Sequence, residues 1–221
     1  MRSIQEELLK ICHALLNHFG PRNWWPAETK FEVIVGAILT QFVAWRNVEQ
    51  AISALKQNNL LSPKAIYEAE DSIIEEMIRP TRFYKQKRER LKEFCGVLVK
   101  KYDGDLNRFL NQDVKSLRKE LLSIKGIGPE TADSIMLYAG EKPVFVVDAY
   151  TRRIFHRLGY FKPNIDYNSM QEFFVKHLPR DVELYNEYHA LIDALGNKVC
   201  KKVPVCKECP LTNSCKFYEN N

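Results

Sequence analysis

The sequence predicts a mostly helical protein, on three observations. Only 9 glycines and 10 scattered prolines interrupt its 221 residues. Between those breakers Leu, Ile, Lys and Glu recur in blocks, a composition that suits helix. Apolar residues also return at the helical period of about 3.6 through most of the chain.

The elements follow in order. Residues 3–19 put Ile4, Leu8, Ile11, Leu15 and Phe19 on one face, and Gly20-Pro21 stops the helix. Cys12 and His13 within it read as packing or surface residues. Asn23-Trp24-Trp25-Pro26 reads as a loop. Two adjacent tryptophans cannot share one helical face, so at least one is expected at a surface or pocket. Residues 28–41 form an apolar helix from Phe31 to Leu39, ending in Thr40-Gln41, and Gly36 inside it points to a close helix contact. A helix over 46–57 buries Val48, Ala51, Ile52 and Leu55. Short helices are expected at 63–69 and 71–78, broken at Pro80.

The basic run Arg82-Phe83-Tyr84-Lys85-Gln86-Lys87-Arg88 opens a long helix to about 101. Its plain reading is a solvated face; its functional reading is an edge that contacts phosphates. Cys95 joins Leu91, Phe94 and Leu98 on the apolar side. Further helices are expected near 114–123, 130–140, 148–158, 167–177 and 181–199. No internal repeat or low-complexity tract interrupts them.

A net charge of +5 suits a polyanionic partner without requiring one. With no apolar run near 20 residues and no signal-peptide pattern, a cytoplasmic location and no membrane partner are expected. Four of the six cysteines fall in the last 22 residues, which favours a metal site in a reducing compartment over disulfides.

Three features carry chemistry. In Leu121 to Asp148, one helix stops at Lys125-Gly126-Ile127-Gly128, and a second resumes through Ala132, Ile135 and Met136. Two glycines turn the chain sharply and bare its N–H groups, Pro129 suits the first helical turn, and the positive helix end suits a phosphate. Second, the apolar run Val144-Phe145-Val146-Val147 ends in Asp148, twenty positions after Gly128. Alone, Asp148 could be a simple N-cap. Third, Cys200, Cys206, Cys209 and Cys215 are spaced C-x5-C-x2-C-x5-C. Four thiolates so close in sequence can surround one metal centre, zinc or a [4Fe–4S] cluster.

Together these residues resemble the endonuclease III superfamily of helix-hairpin-helix DNA glycosylases. The matching motifs are Ile124-Lys125-Gly126-Ile127-Gly128, Thr131-Ala132 and Val146-Val147-Asp148, with the cysteine tail. Trp24-Trp25-Pro26, Lys30-Phe31-Glu32, Gly36 to Gln41 and the hairpin through Asp133 look most like the 3-methyladenine DNA glycosylases of the endonuclease III type. The resemblance implies an all-α fold: a six-helix barrel domain with the hairpin at 28–144, and a helical domain of 1–27 and 145–221 with the cluster loop. It implies a [4Fe–4S] cofactor on the four cysteines in place of zinc, although the first interval is one residue shorter than the usual C-x6-C. It implies a monomer that acts in the nucleoid on double-stranded DNA containing a damaged base. Asp148 would stand at the mouth of a cleft with the hairpin opposite.

In the bifunctional relatives a lysine two positions after the second hairpin glycine forms a Schiff base. Glu130 stands there and cannot form one. The expected reaction is therefore hydrolysis of the N-glycosidic bond, with weak or no strand cleavage and Asp148 as the catalytic residue. Trp25 and Trp45 would stack on the two faces of a flipped alkylpurine, with Trp24 supporting and Glu130 at the base pocket. Gln41 would fill the vacated duplex, while Lys125, Gly126, Ile127, Gly128 and Thr131 hold DNA. Plainer roles remain open: Trp45 as helix packing, Gln41 as a helix end, and Glu130 as a helix-start residue. Two rival functions also stand, a uracil or thymine mismatch (or endonuclease III-like) enzyme and a non-catalytic iron–sulfur DNA-binding module.

Overall fold

The computed structural model describes residues 3–219, all of whose regular elements are helical. The chain divides into two compact units. Unit one comprises residues 1–24 and 143–221; unit two comprises residues 25–142.

Helix starts follow sequence chemistry. In α1 (Ile4–Phe19), Ser3 and Glu6 form a reciprocal capping box, and Gly20 takes the C-cap. Thr29 caps α2 (Lys30–Leu39), and Ser62 with Pro63 begins α4 (Pro63–Glu68). Aspartates cap α7 (Leu106–Leu110), α8 (Val114–Ser123), α11 (Tyr167–His177) and α12 (Val182–Lys198). Each side-chain oxygen takes an N–H that the helix itself leaves unbonded.

Unit two is built around α2, whose residues Phe31 to Leu39 are all buried. Helices α3 (Trp45–Gln57) and α6 (Tyr84–Tyr102) and the π-helical turn Ile135–Ala139 surround it. A helix with neighbours on every side has no polar face to show, which explains the apolar run Val33–Leu39. The helix α5 (Asp71–Ile78) packs on α3 and runs into a 3-10 turn at Arg79–Thr81.

Three expectations need correction here. Lys87, read as part of a solvated or phosphate-facing run, is 1% exposed. Its ammonium donates to Leu39 O at 2.8 Å and Thr81 O at 2.5 Å, binding the C-terminus of α2 to the 3-10 turn. Nor do Arg82 and Phe83 open the helix: both have left-handed backbones (φ 56 and 45), so the chain reverses before α6 starts at Tyr84. The single helix expected near 130–140 is α9 (Pro129–Ser134) followed by the π-helical turn. The short α7 was missed because its five residues are too few for a period to show.

Unit one is organised by α12, whose buried residues include Tyr185, Tyr188, His189 and Leu191. Against it pack α1 and α10 (Ala149–Leu158). Phe145 stacks on Phe174 at 4.2 Å, and Phe155 meets Phe174 edge-on at 4.8 Å. The buried run Val144–Val147 belongs to no regular element among the described residues. Gln171 supplies part of what a sheet would give, donating from Nε2 to Phe145 O at 2.7 Å. The chain ends in 3-10 turns at Cys206–Glu208 and Thr212–Ser214 and the short α13 (Lys216–Glu219).

Candidate active site

In unit two, the hairpin between α8 and α9 is held from beneath by a salt bridge. Arg118 grips the fully buried Asp133 through Nε–Oδ1 at 2.8 Å and Nη2–Oδ2 at 3.1 Å. This bidentate pairing fixes the two helices at both oxygens. Gly126 has φ +86, and a Cβ there would lie 2.3 Å from Cγ of Arg90. Only glycine therefore fits, on both backbone and packing grounds. Ile127 is buried, and its N–H bonds Ile124 O at 3.1 Å. Gly128 begins α9 with open space where a side chain would project. Lys125 is exposed and pairs with Glu89 at 2.6 Å. That hydrogen bond raises the Lys125 ammonium and lowers the Glu89 carboxyl, so a phosphate approaching Lys125 competes with Glu89.

Arg90 was not singled out in the sequence. Its guanidinium, having crossed Gly126, donates to Gln41 Oε1, while Gln41 Nε2 donates to Thr131 Oγ1 at 2.8 Å. Gln41, Thr131 and the hairpin glycine thus form one connected set. Next to Gln41, Phe42 is 87% exposed with φ 57. A bulky left-handed residue is strained by about 1–2 kcal/mol, and this one gains no burial in return.

The aromatic wall differs from the expected parallel cage. Trp25 and Trp45 meet edge to face, with centroids 5.2 Å apart and planes at 86°. They leave no slot for a base between them, so the sandwich is not formed in this structure. Tyr138, on the π-helical turn and absent from the expected set, lies 5.1 Å from Trp25 at 56°. Beneath the tryptophans is Gly36, where a Cβ would approach Trp25 to 3.2 Å and Trp45 to 3.4 Å. The helix contact expected at Gly36 is therefore a contact with indole rings. Glu130 is exposed in the first turn of α9, where the helix end favours an acidic side chain.

In unit one, Trp24 is half-buried in the loop after α1. Asp148 is the N-cap of α10. Its Oδ1 accepts from Thr151 N and Thr151 Oγ1, both at 2.7 Å. Its Oδ2 faces His189 Nε2 at 3.8 Å. The carboxylate is thus divided, with one oxygen spent on the helix and the other outside the cap. Midway along α10, Arg153 donates to Cys200 O at 2.7 Å and Gly196 O at 2.9 Å. Arg157 donates to Lys201 O at 2.7 Å, Lys202 O at 2.9 Å and Cys200 Sγ at 3.2 Å. One helix therefore carries Asp148 at its start and grips the cysteine tail at its end.

Cys200, Cys206, Cys209 and Cys215 line one pocket, together with Arg157 and Phe217. All are free thiols. Burial first, and then the nearby sulfurs of Cys200, Cys215 and Cys206, push the Cys209 thiol up. Among the described residues no three His, Cys, Asp or Glu side chains converge on a single-ion site.

A helical fold, a Gly-x-Gly hairpin and a capping aspartate beyond it define a class, and sequence comparison agrees. The profile of the HhH-GPD superfamily of base excision DNA repair proteins matches residues 35–180, and the chain belongs to that family of DNA glycosylases. It is 47% identical to the putative DNA repair glycosylase MJ1434 of Methanocaldococcus jannaschii over 95% of this chain and 96% of that protein. Among solved structures, it resembles the 3-methyladenine DNA glycosylase MagIII of H. pylori bound to 1,N6-ethenoadenine. That match has 30% identity and a TM-score of 0.75, covering 88% of this chain and 97% of the other. A trapped endonuclease III–DNA covalent intermediate shares the fold, with TM-score 0.84 and 20% identity over 99% of both chains.

Proposed function

We propose that this protein is a monofunctional DNA glycosylase that releases alkylated purines, such as 3-methyladenine, from double-stranded DNA and leaves an abasic site. The aromatic wall of Trp25, Trp45 and Tyr138 over Gly36 carries this reading. An N3- or N7-alkylated purine is cationic, and each desolvated ring face attracts a cation by about 0.5–2 kcal/mol. With the tryptophans edge to face, the base would stack on one indole face instead of entering between two. Unit two supplies this recognition, with Trp24 from unit one as a supporting ring. The hairpin residues Lys125 to Gly128 and Thr131 bind the backbone, and Gln41, poised by Arg90, fills the duplex.

Bond cleavage belongs to unit one. Asp148 Oδ2, left free by the cap, stabilises positive charge developing on the sugar and orients the attacking water. The leaving base departs neutral, so no strong general acid is needed. Glu130 has no amine for a Schiff base. In a panel of duplexes, release of 3-methyladenine and 7-methylguanine is expected, with no covalent complex trapped by borohydride. Release of uracil or thymine alone would overturn the pocket assignment, and trapping would overturn the hydrolytic mechanism.

The cysteine tail is proposed to hold a [4Fe–4S] cluster, whose role is structural. Four thiols that line one pocket are the donor set such a cluster takes, one thiolate to each iron. Purified protein is expected to contain about four irons per chain with matching acid-labile sulfide, and Cys206→Ser to lose both. Zinc without sulfide would refute the assignment.

A further inference from the structure

His189 has no part in the mechanism just given, yet it is 9% exposed and its Nε2 lies 3.8 Å from the free oxygen of Asp148. It begins a row on one face of α12, spaced at four residues: His189, Asp193, Asn197. Asp193 Oδ2 accepts from Asn197 Nδ2 at 2.9 Å, and Asn197 Oδ1 accepts from Tyr150 OH at 2.5 Å. Tyr150 lies on α10, two residues after Asp148. Its ring is seated against Gly196, where a Cβ would fall 2.5 Å from the ring, and Arg153 lies over it at 5.0 Å. The row therefore leaves Asp148 at His189 and returns to the same helix at Tyr150.

We propose that His189 is a positioning residue for Asp148, holding its Oδ2 in direction, with Asp193, Asn197 and Tyr150 as its support. The inference rests on Asp148 being catalytic. The Thr151 cap fixes one oxygen but leaves the carboxylate free to pivot about it. The imidazole Nε2, 3.8 Å from the other oxygen, is near enough to restrict that pivot. It also stands among acids: burial pushes Asp193 up, His189 pulls it down, and Asp148 pushes it up. Arg22 adds a further downward pull on Asp193. Without the imidazole, two carboxylates would repel each other in a poorly solvated region. A hydrolase that needs one of them charged and aimed gains from a group held between them.

The test is single-turnover base release, enzyme in excess, from a 3-methyladenine duplex, beside measured DNA affinity. Under those conditions the rate constant reports the reacting complex, whereas partial unfolding lowers only the amplitude. His189→Phe is expected to lower the rate constant roughly 10- to 100-fold, as misplacement of a reacting group does, at unchanged affinity. His189→Gln, which keeps a donor, should recover part of that loss. Asp193→Asn retains shape and removes the charge behind the imidazole, so it should also slow release if His189→Phe fails to fold. A rate constant within twofold of the wild type in His189→Phe and Asp193→Asn overturns the proposal. An Asp148→Asn control that stays active would instead overturn the catalytic assignment, and this inference with it.

Discussion

Asp148→Asn is expected to slow base release by roughly 10²- to 10⁴-fold while leaving thermal stability almost unchanged. The separation follows from the divided carboxylate. Asparagine caps helices about as well as aspartate, and its carbonyl oxygen can replace Oδ1 as acceptor from Thr151 N. The charge needed beside a developing sugar cation is lost. Asp148→Ala removes both roles and should also cost about 1 kcal/mol of stability. Single-turnover rates and melting curves on the two variants read the roles independently. Intact base release by Asp148→Asn would reduce the residue to a helix cap.

Lys87→Met is expected to destabilise the protein by about 2–4 kcal/mol at neutral pH, since two buried carbonyls lose their donor. Methionine replaces much of the apolar stem, so the loss falls on the hydrogen bonds and on the end of α2 that leads to Gln41. The pH dependence provides a second check. Burial first, and then neighbouring Arg90, pull the Lys87 ammonium down to about 8. The unfolded chain binds this proton more tightly than the folded one. The contribution of Lys87 to stability therefore rises with pH from about 8 towards the unfolded value of about 10.4. Denaturant titrations at pH 7 and pH 9.5 should show a larger gap between wild type and variant at the higher pH. A gap that shrinks would mean that the folded state retains the proton.

Lys87 also shows where sequence reading fails. In a run of four basic residues among seven nothing marks one as buried, because its burial depends on the ends of α2 and the 3-10 turn meeting at one ammonium. The same holds for Arg90, Tyr138 and His189, ordinary helical positions whose partners lie far away in the chain. What was legible is local: the cap reading of Asp148, the Gly-x-Gly turn, and the cysteine spacing each state their chemistry within a few residues. The tryptophans fall between these cases. Their placement by Gly36 could be anticipated as a close contact, but their mutual angle depends on the packing around α2.

Unit one is closed by a hydrogen bond from Tyr188 OH to Leu8 O, 2.9 Å long and spanning 180 residues. On a ribosome that distance becomes a waiting time. At about 5–20 residues per second, α1 emerges roughly 10–35 seconds before the helix that covers it. During that interval Leu8, Ile11 and Leu15 have no surface to bury against, while residues 25–142 are all available to collapse first. The order of synthesis thus favours early folding of the hairpin-bearing unit and leaves the N-terminal helix as a sticky amphipathic segment, a natural client for a chaperone until Tyr188 arrives.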